Sequence, residues 1–471
     1  MADLSRTTAV DLASAIRARK ISSPEAVDAA IATIERLNPR LLAFCTPTLH
    51  AARADARAIE KKLAAGEPVG PLAGVPISIK DLILTKGVRT TGGSLAYAEL
   101  VPDEDDVVVE RVRAAGAIVL GKTNVSELGY SLTGDNPVFG VTRNPWNSAR
   151  SSGGSSAGAA VAVATGMGPI ALGSDGGGSI RLPAAFCGVF GFKPSMGRVP
   201  LWPGCRDERF PGLSSWESLE HLGPITRTVA DAALLASVIA GPDLRDRHSI
   251  PNDVDWLGCL KRDIAGSRIG YCPDWGKMPV TLDPQIRALT DTAVAAFAAD
   301  LGCQVETIAP PWGFPVGQFR TLIVADTDLK AMRALVDRHA GKMSPNIVNL
   351  MRMEWTAEQL TDAITFRKAI TNQMHRLMQR FDFFVTPTTT NMPPLADKAA
   401  GAADYERPLP TFTCIANMTG QPAASVPAGW TADGLPVGLQ IMGRHLADAR
   451  VLGACAAFER ARPWADRWPP A

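Results

Sequence analysis

Apolar positions recur with two different periods along this chain, and the alternation of the two is the first clue to its architecture. Val27, Ile31 and Ile34 stand at helical spacing behind Ser23-Pro24-Glu25. A capping serine, a proline at the first helical position and an acidic first turn together predict a helix start at Ser23. Residues 51–65, alanine-rich and charged, predict a surface helix. The short run Val75-Pro76-Ile77-Ser78-Ile79 predicts a strand that delivers Lys80-Asp81. The acidic stretch 103–106 predicts a loop and helix N-terminus ahead of Val107 to Val112, and 114–120 the end of that helix followed by a strand. Further on, the pattern predicts a helix over 226–240, strands over 268–272 and 304–308, and a long helix over 284–301. Thr356 and Gln359 form a capping box for a helix reaching about Arg380, and 383–387 a buried strand ending at proline. Helix-then-strand alternation predicts an α/β architecture. With no internal repeat and no Gly/Ser/Pro-rich linker, a single large domain over 1–471 is expected, with 200–220 and 310–355 as irregular, aromatic-containing excursions.

Composition narrows the function classes. The 471 residues are 46% hydrophobic and 20% charged, an ordinary globular balance. Lys plus Arg number 48 against 47 acidic residues, a net charge of +1, so no electrostatic case exists for nucleic acid or an anionic membrane. The longest apolar run, 159–173, is interrupted by Gly166, Gly168 and Pro169, and the N-terminal segment mixes charge throughout; the expectation is a cytoplasmic chain with no membrane partner. The eight cysteines, Cys45, Cys187, Cys205, Cys259, Cys272, Cys303, Cys414 and Cys455, are scattered without a C-x-x-C pair, so no metal centre is expected. Nor is a cofactor.

The segment from Ser151 to Pro194 departs from ordinary globular sequence. Serines sit beside glycines at both ends, Ser155 in one cluster and Ser179 in the other, with an apolar stretch between. Two serines and a lysine can build an acyl-transfer site without histidine. A lysine serves as base only when neutral, and burial favours its neutral form; Lys80 after an apolar run meets that condition. Gly176-Gly177-Gly178 before Ser179 supply backbone N–H groups, with that of Ser179, as candidate donors to an oxyanion. Each piece has a plainer alternative. Lys80 alone reads as a solvated lysine, the glycines as a turn, Ser155 and Ser156 as a flexible loop, Asp175 as a turn residue and Arg181 as a surface charge. Gly154 to Gly158 also matches G-x-S-x-G, which would name Ser156 as nucleophile with one of His221, His248, His339, His375 or His445. That motif should follow a strand, and Asn144 to Gly153 reads as loop.

The segment resembles the amidase signature family. The resemblance rests on GGSSAGA at 153–159, GSDGGGSIRLPAAFCGVFGFKP at 173–194 and GVPISIKD at 74–81. GKTNVSELGYSLTGDNPVFGVTRNPW at 121–146, HLGPITRTVADAALL at 221–235, NMTGQPAASVPAGW at 417–430 and GLPVGLQIMGR at 434–444 extend it. Regions 200–220 and 245–380 are the least matched. Ala157, Ala159 and Gly176 depart from the usual glycine, serine and threonine.

The resemblance implies a single domain with a central mixed, twisted β-sheet covered by helices on both faces, its signature core over 70–240. It implies Ser179 as nucleophile, Ser155 as bridging serine behind a cis Gly154–Ser155 bond, and Lys80 as base. The expected activity is hydrolysis of a small-molecule amide through an acyl-enzyme, with a homodimer as the common assembly. The alternative is a glutaminase subunit of a tRNA-dependent amidotransferase. Trp202, Phe210, Trp216, Trp312, Phe314, Phe319 and Trp355 suggest an apolar, aryl-tolerant pocket, or else a filled core. A catalytically dead scaffold is disfavoured by retention of all three residues. A phosphate-binding protein is disfavoured because the Gly-rich loops lack a P-loop's lysine and Ser/Thr ending.

Overall fold

Strand residues turn alternately into two hydrophobic cores, one on each face of a central sheet. In β3 (Ile118–Thr123), Val119 joins the core containing Val108, Val112 and Leu235, while Ile118 and Leu120 join that containing Val27, Ile31 and Val161. Ile170 and Leu172 against Ala171 repeat the division in the strand Ile170–Ser174. A sheet buried on both faces shows continuous apolar runs rather than a polar alternation, which is why 117–120 reads as an unbroken hydrophobic stretch and 75–79 is interrupted only by the buried Ser78. Each large side chain so buried contributes about 1.5–3 kcal/mol.

The computed structural model describes residues 3–203, 208–213, 216–275, 281–397 and 409–470. Its other strands are β1 (Phe44–Pro47), β2 (Pro76–Lys80), β4 (Asp135–Asn136), β5 (Gly140–Val141), β6 (Ile170–Ser174, named above), β7 (Phe190–Lys193), β8 (Leu222–Thr226), β9 (Arg268–Tyr271), β10 (Gln304–Thr307), β11 (Phe383–Pro387), β12 (Ala423–Trp430) and β13 (Pro436–Met442). β4 and β5 form a separate two-stranded pair. The rest form one 11-stranded mixed sheet in the order β1-β3-β2-β6-β8-β7-β12-β13-β11-β9-β10. Helices cover both faces, so the architecture is α/β as expected.

Topology places the site. β2 runs parallel to β3 on one side and to β6 on the other. The chain leaves β2, crosses through the helix Val107–Ala114 to β3, and returns through the helix Ala157–Ala164 to β6. The direction of winding therefore reverses about β2. Open α/β sheets form their crevices at such a switch point, beyond the carboxyl ends of the strands. Lys80 is the last residue of β2 and Ser174 the last of β6.

Local signals place most elements within a residue or two. The capping box at Thr356 and Gln359 opens the helix Ala357–Arg380. Three readings need correction. The first capping serine is Ser22, not Ser23: its hydroxyl accepts the Glu25 N–H, and the Glu25 carboxylate in turn accepts the Ser22 N–H. The helix expected over 226–240 spans only Val229–Ile239, capped by Thr228, because Leu222–Thr226 is strand β8, paired to β6 and β7. Region 310–355 is not irregular but holds helices Val316–Ala325, Leu329–His339 and Pro345–Arg352. Met332, Leu335 and Val336 with Ile347 and Met351 form a core shared by the second and third of these helices, while Phe319 and Leu322 of the first join another; in sequence the pattern is broken up by Pro315, Gly317, Gly341 and Pro345. In 200–220 the described residues form neither α-helix nor strand.

Candidate active site

Lys80 is fully buried, against its reading as a solvated lysine. Its Nζ donates to Ser155 Oγ at 2.8 Å, to Ser174 Oγ at 2.7 Å and to the Ser174 carbonyl at 3.1 Å. Because β2 and β6 are parallel neighbours, their carboxyl ends bring lysine and Ser174 together without a loop. Ser155 reaches the same point from the turn preceding the helix Ala157–Ala164, and the Gly154–Ser155 peptide bond is cis.

Ser179 lies on the second turn, between β6 and the helix Arg181–Cys187. The Ser156 N–H donates to the Ser179 carbonyl at 3.1 Å and ties the two turns together. The Ser155 and Ser179 hydroxyls do not hydrogen-bond to one another, so Lys80 and Ser155 are engaged while Ser179 stands one link away. Hydrogen bonds of this kind are commonly long in a site without substrate.

A buried ion pair sets the second turn. Arg181 donates from Nε and one terminal nitrogen to both carboxylate oxygens of Asp175, at 2.9 and 2.8 Å, with both side chains fully buried. Arg181 also donates to Gln440 Oε1 at 2.5 Å, Asn417 Oδ1 at 2.6 Å and the Thr413 carbonyl at 2.8 Å. Burial alone would raise the Asp175 pKa, but the charge and hydrogen bonds of Arg181 outweigh it and hold the carboxyl well below its usual range. Neither residue is the turn filler or surface charge of the plainer reading.

Asp175 also engages one of the expected oxyanion donors. Its Oδ1 accepts the Gly178 N–H at 2.6 Å, so that donor is already committed. The N–H groups of Gly176, Gly177 and Ser179 make no hydrogen bond to described residues. Gly178 is required for another reason: its φ of +131° is a conformation open to glycine, and a Cβ there would stand 2.3 Å from Thr413 Oγ1.

A cleft of about 430 Å³ opens at Ser179 and Gly177. Its far wall comes from the region 310–355, through Val316, Phe319, Ile323, Leu350 and Met353, and Arg320 is the one charged side chain among the described residues that line it. Trp216, at a φ of 71°, packs edge-on against Tyr130 at 4.7 Å and separates this cleft from an inner cavity of about 30 Å³ lined by Ser155, Ser174 and Glu220. Of the seven aromatics expected in a pocket, only Trp216 and Phe319 line the cleft. Trp312 fills a core, Phe210 packs against another, Trp202 lies under the Arg245 guanidinium, and Phe314 and Trp355 do not line it.

The alternative nucleophile has no base: Ser156 Oγ donates to the Ser174 carbonyl at 3.1 Å, and no histidine is hydrogen-bonded to it. Among the described residues no group of three His, Cys, Asp or Glu side chains could hold a metal, and no helix is long and apolar enough to cross a membrane. The seven described cysteines are free; Cys205 lies outside the described residues. Sequence reasoning missed Ser174 and Glu220. Ser174 adjoins the signature Asp175 and ends a predictable apolar strand, so it was within reach. Glu220 carries no local signal.

A family model described as Amidase matches residues 25–452, and the chain belongs to that family. It is 38% identical over 98% of its length to an acylamidase of Rhodococcus erythropolis, covering 97% of that protein. It is also 36% identical to a glutamyl-tRNA(Gln) amidotransferase subunit of Moorella thermoacetica, covering 98% of each chain. Among solved structures, a bacterial aryl acylamidase of the amidase signature family superposes with a TM-score of 0.88 at 33% identity, over 97% of this chain and 96% of that one. The protein is an amidohydrolase that cleaves amide C–N bonds.

Proposed function

We propose that the chain hydrolyses a small apolar or aryl carboxylic acid amide through an acyl-enzyme on Ser179. Neutral Lys80 accepts the Ser155 hydroxyl proton while Ser155 accepts that of Ser179. The Ser179 Oγ–carbon bond forms, and the carbonyl oxygen becomes an oxyanion facing the N–H groups of Gly176, Gly177 and Ser179. The proton held on Lys80 returns through Ser155 to the leaving nitrogen as the C–N bond breaks. Water then attacks the acyl-enzyme with the same groups in the same roles, releasing the acid and restoring Ser179. The observation that carries this reading is the 2.8 Å contact from Lys80 Nζ to Ser155 Oγ in a fully buried setting, beside a Ser179 that opens onto the cleft.

The relatives named as amidotransferase subunits favour a second reading, a glutaminase working with partner chains. Against it, the mainly apolar cleft lining offers, among the described residues, one cation and no carboxylate for a substrate bearing both an ammonium and a carboxylate.

The purified chain alone, assayed on anilides, alkyl amides and glutamine, separates the two. Anilide or alkyl-amide turnover well above that of glutamine is expected. Glutamine hydrolysis that appears only with partner proteins would establish the second reading instead. Mass spectrometry of an acid-quenched reaction with an activated aryl ester should find the acyl group on Ser179 and none in Ser179→Ala.

A further inference from the structure

We propose that Glu220 is a positioning residue for Lys80: acting through Ser174, its carboxylate sets the pH above which Lys80 is free to take the Ser155 proton. This rests on Lys80 being the base. Register brings Glu220 to the end of β6, because Ser174 pairs with Leu222 of β8 and Glu220 lies two residues before it. Its N–H donates to the Trp216 carbonyl at 2.8 Å. Its carboxylate is buried, and Oε2 stands 2.6 Å from where a Cβ on Gly176 would be, directly against the oxyanion turn. Ser174 links the two charged groups. Its Oγ accepts from Lys80 at 2.7 Å, and Ser174 and the Glu220 carboxylate line the same inner cavity, where Ser174 favours the ionised carboxylate. Ser155 lines that cavity too.

The chemistry follows from hydrogen-bond roles. An ammonium has three N–H donors and no acceptor; a neutral amine must receive one bond. Lys80 can act only when the Ser155 contact reverses, so that the hydroxyl donates to Nζ. A nearby anion stabilises the ammonium and delays that reversal to higher pH. Burial in turn pushes the Glu220 carboxyl up to about 7, with Lys80 and the Ser174 hydrogen bond opposing the rise. The other titratable groups around Glu220 are committed elsewhere. Asp175 is held by Arg181, and burial keeps His221 neutral. Across the inner cavity Asp106 accepts the Val108 N–H and feels Lys122. Across a second small cavity Asp246 accepts the Leu201 and His248 N–H groups, and His248 faces Glu217.

The test is the pH profile of kcat/KM for wild type, Glu220→Gln, Glu220→Asp and Ser174→Ala, together with the pH dependence of Ser179 labelling by a sulfonyl fluoride. Without the anion, Lys80 loses its proton at lower pH, so the acid limb of Glu220→Gln is expected to move down by about 1 unit. Glu220→Asp should bring it back toward wild type, and Ser174→Ala should move it in the same direction as Glu220→Gln. An acid limb that stays in place or moves up in Glu220→Gln overturns the proposal. Lys80→Ala tells the two readings apart: turnover lost in that variant but an unmoved limb in Glu220→Gln defeats this inference alone, whereas turnover retained in Lys80→Ala defeats the assignment of the base.

Discussion

Along the floor of the site, every residue from Ser151 to Lys193 except Thr165 is buried, and the charged side chains and the serine hydroxyls other than that of Ser179 are hydrogen-bonded to side chains or backbone. Along the cleft wall, from Val316 to Met353, buried residues are interspersed with half-buried and exposed ones, and Val316, Ile323, Leu350 and Met353 among the latter face the cleft. Apart from Gly177 and Ser179 at the cleft, the floor is closely enclosed, so glycine, alanine and paired charges are selected by close approach and hydrogen bonding. The wall consists of amphipathic helices packed by one face, and its apolar residues obey only the helical period. Chemistry is thus concentrated where few substitutions fit, and substrate shape is set where many do.

That contrast can be broken experimentally, most severely at the floor. Ser179→Ala should lower kcat for an amide by about 10⁴-fold or more, as removal of a nucleophile does, with KM little changed. Next in size, Arg181→Leu leaves Asp175 as an unpaired buried charge and should cost about 3–5 kcal/mol in urea unfolding. The pH dependence of that pair has a definite sign. The Asp175 carboxyl lies below its ordinary value when folded, so its contribution is fully present above about pH 4 and is lost as pH falls through the folded value. The wild type should therefore lose stability on acidification more steeply than the Arg181→Leu variant.

At the boundary between floor and wall, Gly177→Ala would place a Cβ 2.4 Å from the Phe319 ring. The clash should reduce kcat/KM about 10- to 100-fold, by analogy with the 1–3 kcal/mol of overpacking, and Phe319→Leu in the same chain should restore much of the loss. The smallest effect belongs to the wall itself. Ile323→Ala should raise KM for an anilide about 5-fold, the size of one partly buried side-chain contact, and leave kcat within a factor of two. A collapse of kcat in Ile323→Ala would erase the distinction between the two regions.

Lys80, Ser155 and Ser179 were legible as a set because glycine-rich turns and a short apolar strand are local signals. The helix Ala357–Arg380 was legible because both halves of its capping box are three residues apart. Three helices of the wall were not, since proline and glycine at their starts and joins interrupt the period over which a pattern is counted. Gly178 looked equivalent to its neighbours until Asp175 was seen to accept its N–H. Five of the seven aromatics expected in a pocket do not line the cleft, because an aromatic residue by itself does not say which of several cores it fills.

By itself, then, the sequence determined the chemistry available: two serines, a lysine and turns with no side chains to obstruct a reacting carbonyl. Those depend on residue type and on spacings of a few positions. Only the tertiary structure decided that Lys80 and Ser174 meet at the ends of parallel strands, which N–H groups stay available to an oxyanion, and that Glu220 lies against them from a distant segment. Such contacts follow from strand order and register, set by the burial of both sheet faces at once rather than by any stretch of chain alone.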